Sequence, residues 1–133
     1  RAAGWQIWLV GSARDQTIAA AIQQQTDNAC VNLAGRTTLE ETVDLLACSS
    51  AVVSNDSGLM HLAAAVGAPV LALYGSTDPG YTPPLADQAR ILRLKLECSP
   101  CFQRQCPLGH HHCLTQLHPE QVLTALSELE AHR

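Results

Sequence analysis

The sequence is short of lysine, of charge and of the commonest nucleotide-binding fingerprint, and each shortage narrows the field. Lys95 is the only lysine, and acids and bases are scattered, with no basic run. Together with a formal net charge of -4, this argues against a nucleic-acid partner, because a phosphate backbone needs a basic face. No Gly-x-Gly-x-x-Gly occurs, so an ordinary NAD site loses its support. The most apolar stretch, Leu59 to Leu73, is broken by His61, Gly67 and Pro69 and is too short to span a membrane. No secretory leader, internal repeat or low-complexity tract is visible. The chain opens on Arg1, and Arg1-Ala2-Ala3-Gly4 reads as the tail of a helix. The expectation is a piece of a longer protein, lacking the opening elements of its own fold.

What is present suits one folded unit. With 133 residues, 47% of them hydrophobic and 15% charged, the chain can bury a core and is not disordered. A single domain spanning residues 1–133 is expected. Near-continuous apolar runs of strand length occur at Trp5–Val10, Ala29–Leu33, Ala51–Ser54 and Pro69–Tyr74, with a fifth at Ala89–Leu94. Helical patterns alternate with them. Ile18, Ala19, Ala21 and Ile22 share one helix face, and Thr38 with Glu41 forms a capping box ahead of Leu39, Val43, Leu46 and Ala47. Leu59 to Val66 is a short helix ended by Gly67, and Pro119 opens a final helix whose inner face is Val122, Leu123, Leu126 and Leu129. This alternation predicts an α/β fold, a Rossmann-like parallel sheet with helices on both faces. Two long loops, Gly75 to Asp87 and Glu97 to Leu114, interrupt the later half, and loops of such length are usually functional or disordered.

Parallel sheets bind ligands beyond the carboxyl ends of their strands. Three polar clusters fall there: Gly11-Ser12-Ala13-Arg14-Asp15, Asn55-Asp56-Ser57-Gly58 with His61, and Tyr74-Gly75-Ser76-Thr77-Asp78-Pro79. If neighbouring loops share a rim, the clusters frame one nucleotide-sized crevice. The unpaired N–H groups and positive end of the helix starting near Gly58 suit a diphosphate. His61, one turn in, could donate to a phosphate oxygen, and Asp15 could accept from ribose hydroxyls. The plainer reading is that Asp56 or Ser57 caps the helix and that His61 is a partly buried histidine with a backbone partner.

Cys30 and Cys48 lie in apolar segments and read as small buried hydrophobes. Cys98, Cys101, Cys106 and Cys113 crowd into one loop with His110, His111 and His112. Four thiolates at that spacing can close a structural zinc site, which would leave no open position for catalysis. The alternative is a set of oxidisable or merely buried thiols. The three histidines read as a solvated turn.

From Asn55 to Ala65 (Asn-Asp-Ser-Gly-Leu-Met-His-Leu-Ala-Ala-Ala) the chain resembles the ADP-heptose:lipopolysaccharide heptosyltransferases. The likeness continues through Pro69–Pro79, Tyr81–Pro84, Leu33–Leu39 and Gly11–Asp15 and covers essentially the whole chain. The resemblance implies a GT-B glycosyltransferase, two Rossmann-like domains facing a cleft, of which this chain is most of the C-terminal, donor-binding half. It implies that ADP-L-glycero-D-manno-heptose binds here and that its heptose passes to the inner core of lipopolysaccharide. Asp56, Ser57, Gly58 and His61 would meet the diphosphate and sugar, Asp15 the ribose, and residues around Arg36 and Thr37 to Thr38 the adenine.

The family inverts the anomeric centre without a metal or other cofactor, and its base is a carboxylate on the other domain. No catalytic residue is therefore expected within this chain, which alone should be inactive. The phosphate-contacting lysine segment of the family is also missing, and Lys95 lies too late to replace it. The implied acceptor is a lipid-linked oligosaccharide, reached through the missing domain by a cytoplasmic enzyme working at the inner face of the inner membrane. The cysteine loop departs from the best-known members, so zinc is not implied by the activity. A zinc-stabilised binding module, or a transferase of the same fold using another nucleotide sugar, are the competing readings.

Overall fold

The computed structural model describes residues 4–132; the helix tail expected at Arg1–Ala3 lies outside them. The chain divides, within a helix, into two compact units, residues 1–44 and 45–133.

In the first unit β1 (Ile7–Leu9) pairs in parallel with β2 (Cys30–Asn32), placing Trp8 beside Val31. A 3-10 turn at Ala13–Asp15 follows β1 and runs into α1 (Gln16–Gln25). The connection is a right-sized crossover for parallel strands. Of the apolar face expected on α1 only Ala19 is buried, whereas Ile18 is 65% exposed. Two three-residue strands offer too little surface to cover a whole helix face.

Helix α2 (Leu39–Cys48) begins with the expected capping box. The Thr38 amide donates to Glu41 Oε2 at 2.8 Å, and the Glu41 amide donates to Thr38 Oγ1 at 3.2 Å. Its buried positions are Thr42 and Leu46, one turn apart, while Leu39 and Ala47 of the expected face lie outward. Thr42 can take a core position because its hydroxyl donates back to the Thr38 carbonyl at 2.9 Å. Cys30 is buried as expected, but Cys48 is exposed, since it falls on the outer side of α2.

The second unit holds a three-stranded parallel sheet in the order β3 (Val52–Asn55), β4 (Val70–Tyr74), β5 (Ala89–Arg93). Parallel strands with this alternation are what the sequence predicts, although the five strands fall into two sheets rather than one. Central β4 is sealed on both faces. Val70, Ala72 and Tyr74 join Leu46 and the Met60, Ala63 and Ala64 side chains of α3 (Gly58–Ala65) in one core. Leu71, pointing the other way, is equally closed to solvent. Burial on consecutive residues is the mark of an interior parallel strand and explains the unbroken apolar run.

Helix α3 ends in a Schellman motif: the Gly67 amide donates to the Ala64 carbonyl and the Ala68 amide to that of Ala63, both at 3.1 Å. Gly67 takes a φ of +78°, which a side chain would resist. Helix α5 (Pro119–Ala131) packs on β4 and β5, and Arg90 of β5 pairs with its Glu128 at 2.9 Å. Its inner stripe is Val122, Leu126 and Leu129; Leu123, expected there, is 60% exposed because it sits one residue round from Val122. The expected loop Glu97–Leu114 runs into the short helix α4 (His112–Thr115), and among the described residues no helix is long and apolar enough to cross a membrane.

Candidate functional site

The turn from β3 into α3 bears on the capping reading of Asp56 and Ser57. Ser57 occupies the N-cap with extended backbone, yet neither side chain caps the helix. The Ser57 hydroxyl lies 3.2 Å from that of Ser54, and the Asp56 carboxylate instead accepts from Thr82 Oγ1 at 3.0 Å. The first-turn amides of α3 are thus left without a side-chain partner, and such groups favour an anionic ligand. A Cβ built on Gly58 would meet no atom within 4 Å, so the approach to those amides is open. His61 is exposed rather than partly buried, on the next turn of the helix. The four residues singled out here, Asp56, Ser57, Gly58 and His61, therefore share one helix start.

Behind them stands a short relay. The Tyr74 hydroxyl, at the end of β4 and almost wholly buried, donates to the Thr82 carbonyl and lies 3.6 Å from Met60 Sδ. Thr82 thus ties the Gly75–Asp87 loop to Tyr74 through its backbone and to Asp56 through its side chain. Burial pushes the Tyr74 phenol above its ordinary pKa, and the Asp56 carboxylate pushes it further, against an opposing contribution from the Thr82 hydrogen bond. Tyr74 stands in the third polar cluster and Thr82 in the Tyr81–Pro84 stretch, but the sequence assigns neither a role of its own. The Pro83-Pro84 pair after Thr82 is a local signal that this part of the loop is restricted.

The third polar cluster begins at Gly75. A Cβ there would stand 2.9 Å from Leu114 Cγ and 3.2 Å from Cys113 Sγ. Glycine is required by close packing of the cysteine loop, which is also tied down by Ser99 Oγ donating to the Gly75 carbonyl and the Phe102 amide donating to that of Ser76 at 2.8 Å. Asp78 accepts from the Gly80 amide at 2.8 Å and from Arg93 at 3.5 Å.

In the first unit the loops after β1 and β2 lie side by side: the Gly35 amide donates to the Gly11 carbonyl at 2.9 Å. Asp15 is turned inward on its own loop, its Oδ2 accepting from the Ser12 amide at 2.7 Å and the Ser12 hydroxyl at 2.9 Å. Only the other carboxylate oxygen remains for a ligand. A Cβ on Gly11 would meet Asp15 Oδ2 at 2.8 Å, so the glycine makes room for this folded-back carboxylate. Arg36 is exposed and reaches the Asn32 carbonyl at 3.4 Å, while the Thr37 hydroxyl is 2.9 Å from that of Thr42. An open cavity of about 470 Å³ in this unit lies at the other end of the strands, lined by Trp5, Gln6 and Asn28 to Val31, away from these three residues.

Against known proteins, residues 1–112 match the family model for glycosyltransferase family 9 (heptosyltransferase). The chain belongs to glycosyltransferase family 9. The lipooligosaccharide heptosyltransferase 2 of Haemophilus influenzae is 47% identical over 96% of this chain and 38% of that protein. The lipopolysaccharide heptosyltransferase 2 of Escherichia coli is 42% identical over 95% of this chain and 37% of that protein. The solved structure of the E. coli ADP-heptose lipopolysaccharide heptosyltransferase II superposes with a TM-score of 0.79 at 40% identity, over 98% of this chain and 38% of that one. A family 9 glycosyl transferase from Veillonella parvula, at 21% identity and a TM-score of 0.83, shares the fold. The chain thus spans little more than a third of these family 9 relatives.

Proposed function

We propose that this chain is the donor-binding part of a heptosyltransferase that moves heptose from ADP-L-glycero-D-manno-heptose to the inner core of lipopolysaccharide. The observation that carries the reading is the start of α3, where the amides beside Ser57 and Gly58 lack a side-chain cap and the space above Gly58 is open. When a glycosidic bond to a diphosphate breaks, negative charge grows on the departing phosphate oxygens. Oriented amides and a donor such as His61 stabilise that charge more in the transition state than in the ground state. Asp56, fixed by Thr82, is placed to accept from sugar hydroxyls. In the first unit Asp15 offers its free oxygen to the ribose, and Arg36 and Thr37 border the adenine.

The base that activates the acceptor hydroxyl belongs to the other domain, as does the seat for the lipid-linked acceptor. The intact enzyme works in the cytoplasm at the inner face of the inner membrane, needs no cofactor for transfer, and this chain alone transfers nothing. Calorimetric titration of the intact protein with ADP, UDP and GDP tests the donor assignment. ADP should bind tightest, and His61→Ala should weaken it. A preference for UDP, or indifference to that substitution, would count against the reading. Transfer by residues 1–133 alone would refute the placement of the base.

A further inference from the structure

The cysteine loop is absorbed by nothing in the donor site, and it is built unlike a chance group of thiols. Cys98, Cys101, Cys106 and Cys113 are free thiols, all half-buried, and all four line one cavity of about 120 Å³ together with Gly75 and Ser76. Around Cys106 the backbone is folded into a turn, Cys106-Pro107-Leu108-Gly109, closed by the Gly109 amide donating to the Cys106 carbonyl at 3.1 Å, with Gly109 at a φ of +72°.

The loop also lacks a core of its own. Phe102, Leu108 and Leu114 are 55%, 61% and 48% exposed. A loop that long with so little buried apolar surface calls for a cross-link.

We infer that Cys98, Cys101, Cys106 and Cys113 form a structural site for one thiophilic divalent cation of the zinc class, which pins the loop against Gly75 and Ser76 at the end of β4. Four thiolates suit a closed tetrahedral site for a d10 cation. Among the described residues no three of His, Cys, Asp and Glu already stand as a finished ligand set. Binding therefore draws the sulfurs inward over the cavity as each thiol gives up its proton. The site is independent of which nucleotide sugar the protein uses.

The test uses the intact protein, stripped by a chelator under reducing conditions and titrated with cobalt(II) alone. About one cobalt per chain should bind, giving a thiolate-to-cobalt charge-transfer band and the visible bands of tetrahedral coordination, both bleached by zinc. The paired substitution Cys101→Ser with Cys106→Ser should abolish them. Alkylation of the unsubstituted protein, read residue by residue by mass spectrometry, covers the case in which that variant fails to fold. Zinc should slow reaction at the four loop cysteines on the order of tenfold and leave exposed Cys48 unchanged. Absence of the cobalt bands, their persistence in a folded Cys→Ser pair, or equal alkylation with and without zinc would overturn the inference.

Discussion

Gly58→Ala separates the folding role of the α3 start from its proposed ligand role. The residue opens α3, its φ lies outside the left-handed region, and an added Cβ meets nothing within 4 Å. For folding, the exchange is therefore free of strain, and it removes backbone freedom from the unfolded chain, a gain of about 0.5 kcal/mol. For a bound diphosphate the same methyl group occupies the space through which an anionic oxygen must approach the first-turn amides. Losing one such charge-assisted hydrogen bond costs about 1.5–3 kcal/mol, which corresponds to roughly 10- to 150-fold in affinity. The two quantities move in opposite directions. Urea unfolding should show a midpoint equal to or above that of the parent, while calorimetry should show ADP binding weakened by at least about tenfold. Unchanged ADP affinity in a protein of unchanged stability would refute the placement of the phosphates over the start of α3.

Tyr74→Phe should lower the unfolding free energy by about 1–2 kcal/mol, because the partly buried Thr82 carbonyl loses its donor. Since burial raises the folded-state pKa of Tyr74 above its ordinary value of 10.0, that advantage is complete below pH 10 and fades as pH rises beyond it. The parent and variant should converge in alkaline urea titrations; a constant gap would contradict the burial of the phenol. Thr82→Val removes the hydrogen bond to Asp56 and should weaken binding of the nucleotide sugar by roughly tenfold, with a smaller effect on ADP. Equal losses for the two ligands would place Asp56 away from the sugar. Leu71→Ala, in the sealed centre of β4, should cost about 3–4 kcal/mol by chemical denaturation; a loss below about 1 kcal/mol would mean that the second face of the sheet is not packed.

The elements most legible in the sequence are those whose signal is local. The Thr38–Glu41 box and the Gly67 stop each depend on residues within a few positions of one another, and both helices carry those devices. The unbroken apolar run Val70–Leu73 reads as an interior strand because burial on both faces needs no alternation. Helix faces were less legible. Leu39 and Leu123 fit an apolar stripe by spacing alone and yet face outward. Which stripe is buried is decided by the partner surface, and Thr42 displaced an apolar residue because its hydroxyl found a carbonyl four residues back.

The same contrast governs the candidate site. That an anion seat could lie at Ser57-Gly58 is written into a strand–turn–helix spacing, but whether the seat is free depends on where the Asp56 and Ser57 side chains go. Either could have capped α3. Asp56 is drawn off by Thr82, 26 residues along the chain, and Thr82 is itself held by Tyr74 from the neighbouring strand. The candidate anion site is thus left open because Thr82 occupies Asp56 and Ser54 lies against Ser57. No periodicity or motif spacing encodes that relay, because its members are joined only by the register of β3 beside β4, which sets Asn55 next to Leu73 and so brings Asp56 level with Tyr74. The Pro83-Pro84 pair then limits the backbone just after Thr82. What turns an ordinary helix start into a candidate diphosphate seat is therefore the parallel pairing itself.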